Sequence, residues 1–119
     1  MQNRRDLSER LLEWAANSIK LTVKLKRTAV GQHTANQLMR AATSSGANYE
    51  EACGAESKAD FIHKMQLVLK ELRESLYWLK LLEKTDLISG KELQALRDEA
   101  DELTKIIAKS VITAKGKEK

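Results

Sequence analysis

The sequence lacks proline, has one cysteine and five glycines, and holds only two tryptophans, two tyrosines and one phenylalanine among its 119 residues. Without proline, long helices need not break, and the scarcity of aromatic residues removes much of what favours strands. Cys53 has no partner for an intrachain disulfide, which fits a reducing compartment. Because no apolar targeting segment opens the sequence and no apolar run approaches the roughly 18 residues of a membrane span, we predict a cytoplasmic protein without membrane contact.

Acidic residues are also missing from two windows, 14–49 and 103–117, although the net charge of the chain is only +4. The cations of these windows that we predict to contact nucleic-acid phosphates are Lys20, Lys24, Arg27, Lys105 and Lys109. The first three follow a four-then-three spacing, which places them on one helical face. Such contacts read backbone and shape with weak sequence preference. The alternative is ordinary lysine that only keeps the protein soluble.

Apolar residues at three- and four-residue spacing predict four helices in a single domain, 1–119. The predicted helices span residues 7–27, 34–52, 58–84 and 90–114. Asp6, Ser57 and Ser89 are candidate N-terminal capping residues, and Gly31 is placed in the turn between the first two helices. Because the connections are short, neighbouring helices should run antiparallel, which gives an all-α, up-down-up-down four-helix bundle.

The first predicted helix has a broad apolar face, and the third is apolar on two. Four residues of the first helix widen the apolar row that should face the core: Leu12, Ala16, Ile19 and Val23. The third helix carries two apolar rows, so it is predicted to contact more than one neighbour. Tyr77 and Trp78 are adjacent and point in different directions, so at least one should leave the core and favour an oligomer surface. The alternative is a broad core inside a monomer.

Small side chains run without interruption from residue 41 to residue 47 in the second helix. They allow another backbone to approach closely, so we expect neighbouring helices to pack closely against this segment. Arg73 or Glu74 of the third helix is predicted to pair across helices with Arg40, in an oligomer-interface or structural role shared with the adjacent aromatic pair. The simpler alternative is a solvated face on which Lys70 pairs with Glu74.

Candidate catalytic and metal-binding residues are few. Asp60 and His63 form a D-x-x-H spacing like one half of a di-iron carboxylate site, but His33 has no acid three residues before it to complete a second half. Cys53 lies near the end of a helix, where the dipole disfavours a thiolate, and has no histidine nearby in sequence. We therefore predict no metal site, no cofactor, no small-molecule substrate and no enzymatic activity.

The segments RAATSSGANYEEA, at residues 40–52, and SKADFIHKMQLVLKELRESLYWLKLL, at residues 57–82, resemble the bacterial four-helix bundle family, also called the 23S rRNA intervening-sequence proteins. The resemblance covers nearly the whole chain. The features that carry it in the third helix are Glu71, Arg73, Glu74, Tyr77 and Trp78. In the second helix they are Arg40 and the small residues that end in Gly-Ala-Asn.

This resemblance implies properties that the residues alone do not indicate. Members of the family form up-down bundles that assemble into rings, typically pentamers, and were first noted within insertions in 23S rRNA genes. A relative, the accessory protein of diversity-generating retroelements, partners a reverse transcriptase and nucleic acid through basic surfaces. No enzymatic activity is attached to the family, and no catalytic motif carries over to this chain.

Together these observations favour a non-enzymatic, homo-oligomeric bundle, a pentameric ring by resemblance, that binds structured RNA or an RNA-protein complex through basic helix faces. The alternative is a protein-interaction scaffold that does not bind nucleic acid directly, with its cations acting on association rate or solubility. The two hypotheses differ in whether the purified protein carries nucleic acid.

Overall fold

The computed structural model describes residues 4–25, 27–88 and 90–116, with side chains from residue 6 onward. Four helices occupy almost all of this part of the chain, and it contains no strand. They are α1 (Arg4–Leu25), α2 (Ala29–Cys53), α3 (Lys58–Thr85) and α4 (Lys91–Gly116). Each packs against its neighbours in the chain, and α4 returns to α1, in a body of 49 × 23 × 22 Å. The predicted all-α four-helix bundle is confirmed.

One apolar row from each helix forms a common core. The largest fully buried side chains include Trp14, Leu38, Leu72 and Leu103, one from each helix. Buried hydroxyls are satisfied within their own helices: Ser45 Oγ, for example, donates to the Ala42 carbonyl at 2.7 Å. No buried side-chain polar atom lacks a hydrogen-bond partner among the described residues. The core therefore carries no polar group that calls for a ligand.

The start of α2 differs from the prediction. The helix begins at Ala29 rather than residue 34, because Thr28 is the N-cap and its hydroxyl accepts a hydrogen bond from the Gly31 amide at 3.0 Å. Gly31 is thus inside the first helical turn and not in the loop. A Cβ at this position would lie 2.1 Å from the Leu25 carbonyl oxygen, so only glycine lets α1 end this close to α2.

The other helix ends follow the prediction more closely. Ser57 caps α3, where its hydroxyl accepts from the Asp60 amide at 3.0 Å. Helix α1 begins at Arg4, so Asp6 lies within the first turn instead of capping it. The predicted cap at Ser89 lies outside the described residues.

The second apolar row of α1 does not enter the core, contrary to the prediction. Leu12 is 71% exposed and Val23 is 65% exposed, and Ala16 and Ile19 are exposed as well. The main row, which includes Leu11 and Trp14, already fills the space against α2 and α4. A bundle helix needs one buried stripe, so the second row is left on the surface.

The small-residue run of α2 is divided between core and surface. Ala41, Ala42 and Ser45 are fully buried, which confirms that neighbouring helices grip this segment. Gly46 and Ala47 face a groove beside α1, and a Cβ at Gly46 would meet only the Leu11 Cβ, at an ordinary 3.8 Å. The run therefore serves close packing on one side and keeps a surface groove open on the other.

Candidate interaction surfaces

The five predicted phosphate-binding cations do not form one patch. Lys20, Lys24 and Arg27 are exposed near the end of α1, where Lys24 makes an ion pair with Glu92 at the start of α4. The two α4 lysines lie in its second half; at 1.5 Å per residue, Lys105 is about 20 Å along α4 from Glu92. The structure thus separates the predicted set into two groups, one near the start of α4 and one in its second half.

A cluster of charged and aromatic side chains joins α2 to α3. The Arg40 guanidinium pairs with Glu74 and also approaches Glu71, with 3.5 Å between Nη1 and Oε1. The cross-helix prediction for Arg40 is therefore correct for Glu74 and wrong for Arg73. The pKa of Glu74 lies below its ordinary value of 4.5. The larger cause is the hydrogen bond from Arg40, and the next is the hydrogen bond from the Trp78 indole.

Trp78 is the centre of this cluster. Its Nε1 donates to Glu74 Oε2 at 3.2 Å, and its ring packs half-buried against the core. His33 contacts it edge-to-face with 6.0 Å between ring centroids, and Tyr77 does so at 5.1 Å. Tyr77 itself is 58% exposed, so of the adjacent aromatic pair it is the tyrosine that leaves the core. The cluster fixes the orientation of an exposed tyrosine.

The solvent face of α3 is basic, a feature that was not predicted from the sequence. Every exposed side chain of this helix is neutral or cationic. Five of them follow three- and four-residue spacing and are named here the α3 stripe: Lys70, Arg73, Tyr77, Lys80 and Lys84. In sequence, Lys70 and Arg73 alternate with glutamates, so the segment looks balanced. At 100° per residue, however, the two charge signs fall on different faces.

Three of the four acids of α3 lie on its flanks, beside cations of other helices; the fourth, Asp60, is in the first turn. Glu71 and Glu74 face Arg40 of α2, and Glu83 pairs with Arg97 of α4. These ion pairs use partners from outside α3. Within α3, Lys70 also interacts electrostatically with Glu74. Among the described ion pairs, Arg73, Lys80 and Lys84 of the α3 stripe have no acidic partner. The structure thus separates charges that are mixed along the sequence.

A groove of about 830 Å³ runs between α1 and α2. We call it the α1/α2 groove, and it is lined mainly by apolar or small residues, among them Leu12, Ala16, Ile19, Gly46 and Ala47. Two carboxylates, Glu9 and Glu50, lie at its edge. The exposed apolar row of α1 continues it to Val23. Together, the groove and this row make a continuous exposed apolar surface, which is a candidate interaction site.

One further exposed apolar residue stands on α4. Ile112 is 70% exposed, and three- and four-residue spacing places it on the same face as Lys105 and Lys109. These three residues are named the α4 ridge. It combines an apolar side chain with two positive charges, whereas the α1/α2 groove combines apolar walls with two negative charges.

Chemistry-bearing residues do not converge elsewhere in the described ranges. Across the part of the chain that the structure describes, no group of three or more His, Cys, Asp or Glu side chains is arranged to hold a metal ion. Asp60 and His63 belong to the start of α3, and Cys53 is half-buried at the end of α2. Among the same residues, none of the helices has both the length and the apolar character needed to cross a bilayer.

Comparison with known proteins places this fold in a family. The profile of the 23S rRNA-intervening sequence proteins matches residues 6–109. The chain belongs to this family. A crystal structure of a protein of unknown function from the S23 ribosomal protein family of Bacteroides thetaiotaomicron is also similar, with 31% identity and a TM-score of 0.84. The alignment covers 91% of this chain and 96% of that one. No curated protein matches the sequence significantly.

Membership in the 23S rRNA-intervening sequence family confirms the resemblance drawn from residues 40–52 and 57–82. Those segments contain the α2–α3 cluster around Arg40, Glu74 and Trp78 and most of the α3 stripe. The most recognisable part of the sequence is therefore the helix pair that orients Tyr77 and displays the basic face.

Proposed function

We propose that this protein is a non-enzymatic bundle that assembles into a closed homo-oligomeric ring and binds structured RNA or an RNA-protein complex. The single observation that carries the proposal is the α1/α2 groove, an apolar surface that the fold leaves uncovered. The family's link to 23S rRNA and the basic helix faces support the RNA part. A ring would multiply weak phosphate contacts into useful avidity.

The occupant of the α1/α2 groove in this proposal is the α4 ridge of a second copy. Charge complementarity supports the pairing, because Lys105 and Lys109 would approach Glu9 and Glu50 while Ile112 enters the apolar walls. The two surfaces differ, so the contact is head-to-tail. Head-to-tail contacts close into rings when the rotation between subunits permits.

An exchange of charges tests this contact. Replacing Glu9 and Glu50 with Lys should reduce the mass measured by light scattering from a multiple of 13.4 kDa to the monomer value. The variant Lys105→Glu with Lys109→Glu should do the same. Combining both pairs in one chain should restore assembly, because opposite charges face each other again. Failure of the combined variant to recover, with both pairs separately disruptive, would argue against this particular contact.

The RNA part of the proposal has a separate test. Purified wild-type protein should bind a fluorescent stem-loop RNA. The affinity should fall steeply as salt rises, because the release of counterions from the phosphates gains less free energy at high salt. Absence of binding at low salt would favour the protein-scaffold function. In that case, protein partners of the assembled ring would become the object of the search.

A further inference from the structure

We propose that the α3 stripe is a binding site for the sugar-phosphate backbone of a single-stranded nucleic acid, with an unpaired base stacked on Tyr77. This inference rests on the RNA-binding function proposed above and adds to it the face that binds and the strandedness of the ligand. It also departs from the residues predicted from charge windows, which lie on α1, the α1–α2 connection and α4.

The charge of the stripe is the first argument. Four cations, Lys70, Arg73, Lys80 and Lys84, lie on one face, where none of the exposed side chains of α3 is acidic. At 1.5 Å per residue they extend over about 21 Å. Phosphates along one strand of a duplex are about 3.4 Å apart along the axis, and an extended single strand spaces them more widely, so this length faces at most about six of them. The groups at the end of α1 are weaker candidates, since Lys24 is already paired with Glu92.

Tyr77 is the second argument, and it specifies a single strand. The tyrosine lies among the four cations and is 58% exposed, so ring surface is available for stacking. The Tyr77 ring contacts Trp78 edge-to-face, and Trp78 is itself in contact with Glu74 and His33. These contacts restrict the orientation of the Tyr77 ring. Aromatic rings beside cations stack unpaired bases, whereas the bases of a duplex are already stacked on one another.

The test compares two variants from which the same number of charges is removed. The first replaces Lys70, Arg73, Lys80 and Lys84 with Gln, and the control replaces Lys20, Lys24, Arg27 and Lys91 with Gln. All eight residues are exposed, and each variant has four fewer positive charges than the wild-type chain of net charge +4. Circular dichroism and light scattering establish that both keep the fold and mass of the wild type. Fluorescence anisotropy then measures binding of a uridine oligonucleotide across a salt series.

We expect the α3 variant to bind at least about a hundredfold more weakly than wild type at low salt. The magnitude of its slope of log affinity against log salt should fall by about 0.7 for each phosphate that the variant no longer neutralises. The control variant should stay within about threefold of wild type. Weakened binding by the control together with wild-type binding by the α3 variant would overturn the α3 site while leaving RNA binding intact. A wild-type protein that binds no oligonucleotide and no stem-loop would overturn both proposals.

Substitution at Tyr77 tests the stacked base separately from charge. Tyr77→Leu should weaken binding of the uridine oligonucleotide roughly tenfold or more without changing the salt slope, and Tyr77→Phe should retain binding. A thymidine oligonucleotide of the same length distinguishes RNA from DNA, and a blunt RNA duplex should be insensitive to Tyr77→Leu. Equal weakening for duplex and single strand would contradict the stacking role.

Discussion

The α1/α2 groove and the α3 stripe are both exposed helix surfaces of one small bundle, yet they are opposite in character. The groove is apolar, with small residues along its α2 side and carboxylates at its edge. The stripe is cationic and has one exposed tyrosine, and its helix turns its acids toward arginines of α2 and α4. This contrast is the reason for proposing two different partners. Binding at an apolar surface gains free energy by excluding water, and binding at a cationic surface gains it by contact with phosphate.

The largest expected effect is the loss of assembly when charges are placed in the α1/α2 groove. Replacing Leu12 and Ile19 with Glu places two charges on a surface that must be desolvated for assembly, so we expect complete conversion to monomer at micromolar concentration. The free energy of unfolding should fall by about 1–2 kcal/mol, because Leu12 is 71% exposed whereas Ile19 is 39% exposed and loses part of its packing. Light scattering and chemical denaturation measure the two effects. A variant with wild-type mass would show that the groove is free surface.

A smaller effect on folding stability should distinguish residues of the core from residues of the groove. Ala42 is fully buried, so Ala42→Leu should overpack α2 and cost on the order of 1–3 kcal/mol of folding free energy. Ala47 faces the groove, so Ala47→Leu should leave the melting temperature unchanged and weaken assembly instead. Thermal unfolding of the two variants is the measurement. Equal destabilisation would mean that Ala47 belongs to the core.

The ion pair between Arg40 and Glu74, beside the α3 stripe, should contribute modestly to the free energy of unfolding. Arg40→Gln removes the partner of Glu74 across α2 and α3, and the Arg40 side chain is 50% exposed, so solvent screens much of the interaction. We expect a decrease of at most about 1 kcal/mol in the free energy of unfolding measured by urea denaturation. The orientation of Trp78 and Tyr77 should depend on this ion pair. We therefore expect Arg40→Gln to reduce the affinity for the oligonucleotide by more than the loss of one positive charge elsewhere does. Lys20→Gln is the matched one-charge control.

The smallest expected effect is a pH dependence. The pKa of Glu74 is lower in the folded protein, chiefly through Arg40, so its ionised form contributes stability above the ordinary pKa of 4.5. That contribution is lost as pH falls through the lower folded-state pKa. Wild type should therefore lose up to about 1 kcal/mol more than Glu74→Gln between about pH 6 and pH 3. Parallel pH profiles of the two proteins would exclude this contribution.

Periodicity predicted the four helices and their inner rows because burial in a bundle selects one stripe from each helix. It was wrong for Leu12 and Val23, which are exposed, because the sequence pattern does not distinguish an apolar residue in the core from one at the surface. The early start of α2 was missed because Gly31 suggested a turn, although Thr28 three residues earlier had the capping hydroxyl. Glycine here serves close approach and not chain reversal.

The basic face was missed for a different reason. The interpretation of residues 70–74 as a solvated face considered only pairing along the helix. The interaction of Lys70 with Glu74 is present, but the stronger partner of Glu74 is Arg40 on another helix. Glu83 and Arg97, for example, are joined across α3 and α4. The signal was nevertheless present in sequence. Positions spaced by three and four from His63 to Lys84 contain no acid, and a projection of α3 onto a helical wheel reveals it.

In the proposed ring, assembly through the α1/α2 groove presents several copies of the α3 stripe to one RNA. The most direct measurement is the salt slope of structured-RNA binding for wild type and for the monomeric Leu12→Glu, Ile19→Glu variant. We expect a steeper slope for wild type, because several copies of the stripe would contact phosphates of one RNA. Equal slopes from an assembled wild type and a monomeric variant would contradict it, since the stripes would then act singly or not at all.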